Sequence, residues 1–369
     1  MRFKLLLIIV STIVLLISCS DSTEAESDEI TIVDQKLFQT FIGHKMIKAS
    51  DNSIVLGVSN SEPGIMKLDI NGNKIWEKYY SIVGYGSGFY IDNLTEASDK
   101  GFILCGTGAS GPSGFLAKTD SSGNLIWKKD SIDSWLFRKA LENNLGEVVY
   151  VRHTGSADAI VEKYDSNGSL IWNGYFRYQV PNIDLPVSQI YDFSISPEND
   201  INIIYGAFTT NLVKIRISNE GSYEYGNFYD LNCKAASIFF VDYTHYIFGR
   251  YDALDNDDFT FLYSFPSYNQ SFYSLRSYDQ LESFNGYYNN NFTDDGDLLA
   301  TDHDWIIKLD SDSDFDLEWS YKVDWTTTDD RFVSTIDTGN NLYALLGSTE
   351  WTSNDSTIHG TFLRFFEKN

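Results

Sequence analysis

Cysteine, proline, histidine and positive charge are all scarce in this 369-residue chain, which has 3 Cys, 6 Pro and 5 His. Each scarcity excludes something. Cys19, Cys105 and Cys233 stand far apart, so no disulfide framework can be drawn, and Cys105 and Cys233 read as free buried thiols. The histidines form no HxxxH or HExxH pattern, which leaves a catalytic zinc without ligands. There is no GxSxG elbow and no adjacent Cys/His pair to make a nucleophile. Lys and Arg number 27 against 52 Asp and Glu, a formal charge of −25. Such a surface repels nucleic acid and anionic headgroups and favours cations, neutral ligands or basic partners. Carboxylates are so frequent that no single pair is picked out for glycoside chemistry. Long apolar runs are also missing: Leu5 to Ile17 spans 13 residues, short of the roughly 20 that a membrane-crossing helix needs.

What the chain has is a repeat. KTDSSGNLIW runs from Lys118 to Trp127, KLDINGNKIW from Lys67 to Trp76 and KYDSNGSLIW from Lys163 to Trp172; a stretched copy, KLDSDSDFDLEW, ends at Trp319. The tryptophans fall 51 and then 45 residues apart, and the step from Trp172 to Trp319 is three periods of 49. A period near 50 built of short strands implies a β-propeller. Each copy reads as strand, tight turn, strand. Asp69, Asp120 and Asp165 can accept from backbone N–H groups of the turn, while Gly72, Gly123 and Gly168 supply the positive φ. Trp76, Trp127, Trp172 and Trp319 then open the outer strands, where they fill the gap between blades. They are expected to be structural.

Alternating apolar segments between copies, such as Gly101–Gly106 and Asn341–Gly347, bring each unit to four strands. The copies degrade around Lys214 (KIRISNEGSYEY) and Leu262 (LYSFPSYNQSFY). Ile30 to Phe38 matches the Trp-strand slot without its Trp, and the last unit stops one strand short. The expectation is therefore all-β: a seven-bladed β-propeller of four-stranded blades over residues 30–369, its ring closed by the N-terminal strand. Deleting 30–38 should then open the ring.

In its Asp, Gly and Trp spacing the chain resembles the PQQ-like, or quinoprotein-type, propeller repeat. It looks closest to lipoprotein members that bind proteins rather than a quinone. The enzyme branch of that family uses a vicinal cysteine pair, a quinone and a metal; Cys105 and Cys233 supply no such pair. The resemblance thus implies a non-enzymatic chain with no cofactor.

Residues 1–18 read as an export signal, with Arg2 and Lys4 before the apolar run. Leu16-Ile17-Ser18-Cys19 matches a lipobox, and here the chain resembles bacterial lipoproteins, which implies diacylglyceryl on the Cys19 thiol. Acyl chains would hold the protein on the outer membrane, on the periplasmic or the cell-surface side, with no spanning segment. Residues 19–29 continue as an acidic tether, SDSTEAESDE after Cys19, too polar to pack.

Antiparallel blades put the links from second to third strand, and from outer strand to next blade, on one face. The remaining links lie on the other. By this rule Trp135, Trp305, Trp325 and Trp351 fall in or beside loops of the first face, with His153, His303, His359, Arg152 and Tyr85. Such an aromatic group suits either a protein hot spot or a sugar-stacking platform. Asp310, Asp312 and Asp314 imitate the start of a calcium loop, although Phe315 stands where Gly is needed and Tyr321 where Glu is needed. The functional expectation is a monomeric, non-enzymatic envelope module binding a protein partner through the aromatic face. A surface glycan-binding protein is the alternative, and a carbohydrate-active enzyme has the least support.

Overall fold

The computed structural model describes residues 30–368 apart from 84–87, 109–112, 134–136, 154–158, 177–186, 208–210, 230–232, 242–243, 252–258, 267–273, 279–288, 294, 302–304, 312–315, 323–330 and 354–355. Every regular element among the described residues is a strand. The chain opens with β1 (Ile30–Phe38) and then builds successive antiparallel meanders. The first is β2 (Ile42–Lys48), β3 (Ile54–Ser59), β4 (Pro63–Leu68) and β5 (Lys74–Tyr79); the second is β6 (Phe89–Glu96), β7 (Phe102–Gly108), β8 (Ser113–Thr119) and β9 (Leu125–Asp133). β10 (Arg138–Glu142), β11 (Val148–His153), β12 (Ala159–Tyr164) and β13 (Leu170–Phe176) follow, then β14 (Val187–Ile195), β15 (Ile201–Ala207), β16 (Asn211–Ile217) and β17 (Tyr223–Tyr229). The fifth sheet is β18 (Cys233–Val241), β19 (Thr244–Tyr251), β20 (Phe259–Pro266) and β21 (Ser274–Tyr278). Last come β22 (Asn289–Phe292), β23 (Leu298–Thr301), β24 (Trp305–Asp310) and β25 (Asp316–Lys322), and a sheet of β26 (Arg331–Gly339), β27 (Leu342–Ser353), β28 (Ser356–Lys368) and β1. The architecture is an all-β propeller with four-stranded blades.

The repeat explains how blades join. In the turns, Asp120 Oδ1 accepts from the N–H groups of Ser122 and Asn124 at 2.9 and 2.7 Å, and Asp69 and Asp165 do the same. Gly123 (φ +76°) lies beneath the Trp76 ring of the preceding blade so closely that a Cβ would sit 2.7 Å from it. Gly168 stands likewise under Trp127 and Gly221 under Trp172. The indole N–H groups of Trp127 and Trp172 donate to Ser166 O and Asn219 O of the next blade, each at 3.0 Å. The weak fourth copy keeps this plan in altered residues: Arg216 replaces the Lys, Ser218 the Asp and Tyr225 the Trp, with the Arg216 guanidinium 5.9 Å from the Tyr225 ring centre.

Two parts of the expected ring need correction. Apolar cores that lock neighbour to neighbour are described for six of the blades. They join the first to the second through Ile65, Ile91 and Phe115, and the second to the third through Cys105, Trp127 and Tyr150. Val161 and Ile203 link the third and fourth, and Leu299, Trp319 and Tyr343 the last two. The β18–β21 sheet is described by its backbone ladder and, save for Ile238, not by its side chains. Among the described residues the packed blades number six, not the expected seven. Cys233 opens this fifth sheet.

Closure is also not the work of the N-terminal strand. β1 is an outer strand paired with β28 from Ile30↔Lys368 to Phe38↔Thr361, and its Ile32, Val33 and Leu37 are about half exposed. The first and last blades meet at their inner strands instead. Met46, Leu56 and Val58 pack with Ile336, Leu346 and Leu363, Ser334 Oγ donates to Met46 O at 3.1 Å, and Thr361 Oγ1 accepts from Gly43 N at 2.7 Å. Burial favours this joint because the inner strands converge there, whereas an outer strand has solvent on one side.

Candidate functional site

One face of the propeller is consumed by its own ion pairs. The Lys that begins each repeat copy is buried and points at the turns between first and second strands. Lys67 meets Asp51 at 2.7 Å. Lys118 meets Glu142 of the next blade at 3.0 Å and Asp99 at 3.1 Å, and against the desolvation that opposes it these two carboxylates hold its ammonium above the ordinary range. Lys163 meets Glu147 at 2.8 Å and Asn219 O of the next blade at 2.9 Å; Lys308 meets Asp297 and Glu318 at 2.9 and 2.8 Å. Ser50 and Ser98 donate backbone N–H to Glu96 and Glu142 of the following blades. The carboxylates of this rim are matched, so its role is cohesion.

The inner strands carry a second polar system. Four residues before the turns that start at Ala49, Ala97, Asn143 and Ser196 stand Lys45, Asn93, Lys139 and Asp192. In three of these strands the residue just before, His44, Asp92 or Tyr191, is skipped in the ladder as a bulge, which re-aims the side chains beside it. Three members of this belt tie one blade to the next. Asn93 Oδ1 accepts from Ala140 N at 3.1 Å, Lys139 Nζ donates to Phe193 O at 3.1 Å, and Asp192 Oδ2 accepts from Ile238 N at 3.1 Å. Ser334 continues the pattern from the last blade to Met46 of the first, and Asn291 donates to Thr335 O at 2.7 Å.

Charges in the belt pair across blades: Arg138 with Asp92 at 3.0 Å, Lys139 with Asp192 at 2.7 Å. Burial raises the Asp92 carboxyl, with Arg138 opposing. Lys45 occupies the same slot yet makes no hydrogen bond or ion pair with the described residues. Its ammonium is lowered from the ordinary lysine range first by desolvation, with Asp92, Lys139 and Asp192 of the second, third and fourth blades all within electrostatic reach. Lys45 stands on β2, the innermost strand of its blade, which packs against the inner strands β6 and β26 of the two neighbouring blades. Beside it His44 is pushed down to about 4, chiefly by burial and then by Lys45. Its Nε2 lies 2.6 Å from Ser59 Oγ, and its ring meets Tyr90 edge-on.

Of the residues singled out in the sequence, His153 is buried at the end of β11, its N–H bonded to Phe137 O at 3.0 Å. Arg152 pairs with Glu162 at 3.2 Å. His153 is thus buried, and Arg152 is partly covered beside its pair. Trp351 lies not in a loop but within β27, opposite Ile358, and His359 is opposite Glu350. These residues sit on a two-stranded arm that extends β27 and β28 beyond Ser348↔Thr361 as far as Ser353↔Ser356. Trp305 begins β24, paired with Lys322. Cys19, Tyr85, Trp135, His303 and Trp325 lie outside the described residues. Asp310 ends β24 opposite Asp316; its proposed calcium partners Asp312 and Asp314 also lie outside. Among the described residues no group of three or more His, Cys, Asp and Glu converges to hold a metal. Cys105 is a buried free thiol whose pKa burial pushes well up.

The inner belt escaped the sequence reading because its members differ in type from blade to blade. Counting back from each turn start would have aligned them.

No family model matches the chain, and no curated protein matches it. Among solved structures, a protein of unknown function from Bacteroides caccae superposes with a TM-score of 0.49 at 9% identity, over 73% of this chain and 94% of that one. A protein of unknown function from Dyadobacter fermentans gives 0.49 at 8% identity, over 92% and 99%.

Proposed function

We propose that the protein is a lipid-anchored, non-catalytic binding module of a bacterial envelope that engages a protein partner through the face bearing the β27–β28 arm. The observation that carries this reading is the asymmetry of the two faces. Buried lysines and turn carboxylates tie up one face in blade-to-blade ion pairs. The opposite face carries the paired arm with Trp351 and His359, and the first-face loops that hold Trp135 and Trp325 in the sequence. Large aromatic side chains on a rigid scaffold make strong anchors because little side-chain entropy is lost on binding. The anchor is assigned to Cys19 of the LISC motif, on an outer-membrane leaflet, with the acidic residues that follow as tether.

Fractionation tests the anchor. The wild-type protein should sediment with membranes and be released by detergent, whereas Cys19→Ala should be soluble; a soluble wild type would sink the lipid-anchor part. The glycan reading draws on the same tryptophans. It is separated by intrinsic fluorescence against an oligosaccharide panel, where saturable changes lost in Trp351→Ala would favour sugar over protein.

A further inference from the structure

We propose that Lys45 is the recognition group of a site, on the propeller axis, for the carboxylate of a small singly charged organic anion. The inference stands apart from the protein-partner reading and needs no loop residue.

It rests first on position. The equivalent side chains Asn93, Lys139 and Asp192 each bridge to the backbone of the next blade. Among the described residues Lys45 makes no such bridge and no ion pair, although it is half-buried on an innermost strand and within electrostatic reach of Asp92, Lys139 and Asp192 on the second, third and fourth blades. Partly desolvating an ammonium with no directly bonded counter-ion is costly, and a bound anion offsets that cost. The described groups around it are Asp92 on β6, Cys105 on β7, Arg138 and Lys139 on β10, and Asp192 on β14, with His44 adjacent on β2.

Charge then selects the ligand. Arg138 is neutralised by Asp92 and Lys139 by Asp192, leaving the Lys45 ammonium as the one uncompensated charge among these described belt residues. A single carboxylate balances it. A doubly charged phosphate would carry an unmatched negative charge toward two carboxylates. The setting sharpens the contrast, since a locally positive belt lies inside a chain of net charge −25. His44, held neutral near pH 7 by burial, offers a dipole and not a competing cation.

The test uses the full-length protein and three sodium salts, acetate, inorganic phosphate and chloride, at matched ionic strength. Acetate should raise the wild-type melting temperature by roughly 1–3 °C over chloride. Lys45→Met should melt higher than wild type in chloride, having lost the desolvated charge, and should show no acetate response. Lys45→Arg should keep the response. Independently of folding, NMR of ¹³C-methylated lysines should show two resonances titrating below the others, because burial also lowers Lys214, to about 7; the one lost in Lys45→Met should move up in pH with acetate. An acetate response that survives in Lys45→Met, or a Lys45 resonance that titrates with the remaining lysines and ignores acetate, overturns the proposal. Phosphate acting where acetate does not overturns the carboxylate assignment.

Discussion

The hydroxyl of Ser334 in the last blade donates to the carbonyl oxygen of Met46 in the first, 3.1 Å away and buried. Thr361 completes the joint: its Oγ1 accepts from Gly43 N at 2.7 Å and donates to Phe41 O at 3.1 Å. Thr361→Val would strand a buried N–H and should cost about 1–3 kcal/mol in urea unfolding. Deleting residues 30–38 removes an outer strand but leaves this joint, so calorimetry should still show one cooperative transition at a lower temperature. Loss of cooperativity would return the closing role to β1.

Gly123 and Gly146 share a φ of +76°, but a Cβ at Gly123 would strike the Trp76 ring whereas one at Gly146 meets nothing within 4 Å. Gly146→Ala should cost about 1 kcal/mol from backbone strain alone. Gly123→Ala should cost roughly 1–3 kcal/mol more, because a ring between blades must shift. Equal losses would mean that the Trp–Gly stacking adds nothing.

Lys118 and Glu142 form a nearly buried pair between the second and third blades, with side chains 2% and 8% exposed. Glu142→Leu should destabilise by about 3 kcal/mol, since it leaves the ammonium with only the exposed Asp99. Lys118→Met combined with Glu142→Leu should recover part of that loss. The double variant being worse than the single would show that the pair is net stabilising.

The repeat was legible because Asp, Gly and Trp each do a local job at fixed spacing: turn acceptor, positive φ, blade filler. The Lys at its head was equally visible, yet its partners Glu142 and Asn219 lie on the next blade, beyond any local pattern. The same distance problem hid the inner belt, where Lys45, Asn93, Lys139 and Asp192 do related work with unrelated side chains. The first-face residues were placed by topology alone. That rule put Trp351 in or beside a loop, whereas it lies within β27, and it could not tell a buried His153 from an exposed one.

His44 gives a pH signature. Its folded pKa of about 4 lies below the ordinary 6.5, so on acidification the unfolded chain takes up the proton first. Stability should fall between pH 6.5 and 4, by up to about 3 kcal/mol. Asp51 behaves differently: against desolvation, its bonds from Lys67 and Ser53 hold it at about 2, so its contribution fades only below the ordinary carboxylate pKa of 3.8. Urea titrations at pH 7 and 4.5 should therefore differ for wild type and much less for His44→Gln. A wild-type curve flat across that window would contradict the burial assigned to this imidazole.

The binding role is tested most directly by crosslinking in cells. A tag after Asn369 recovers the protein and whatever is joined to it, with Trp135, Trp305, Trp325 and Trp351 changed together to Ala as the comparison. The account predicts one envelope protein captured with wild type and lost with the fourfold variant, which should remain membrane-bound and melt within a few degrees of wild type. Identical captures from the two, or capture abolished instead by changes confined to the ion-paired face, would contradict it.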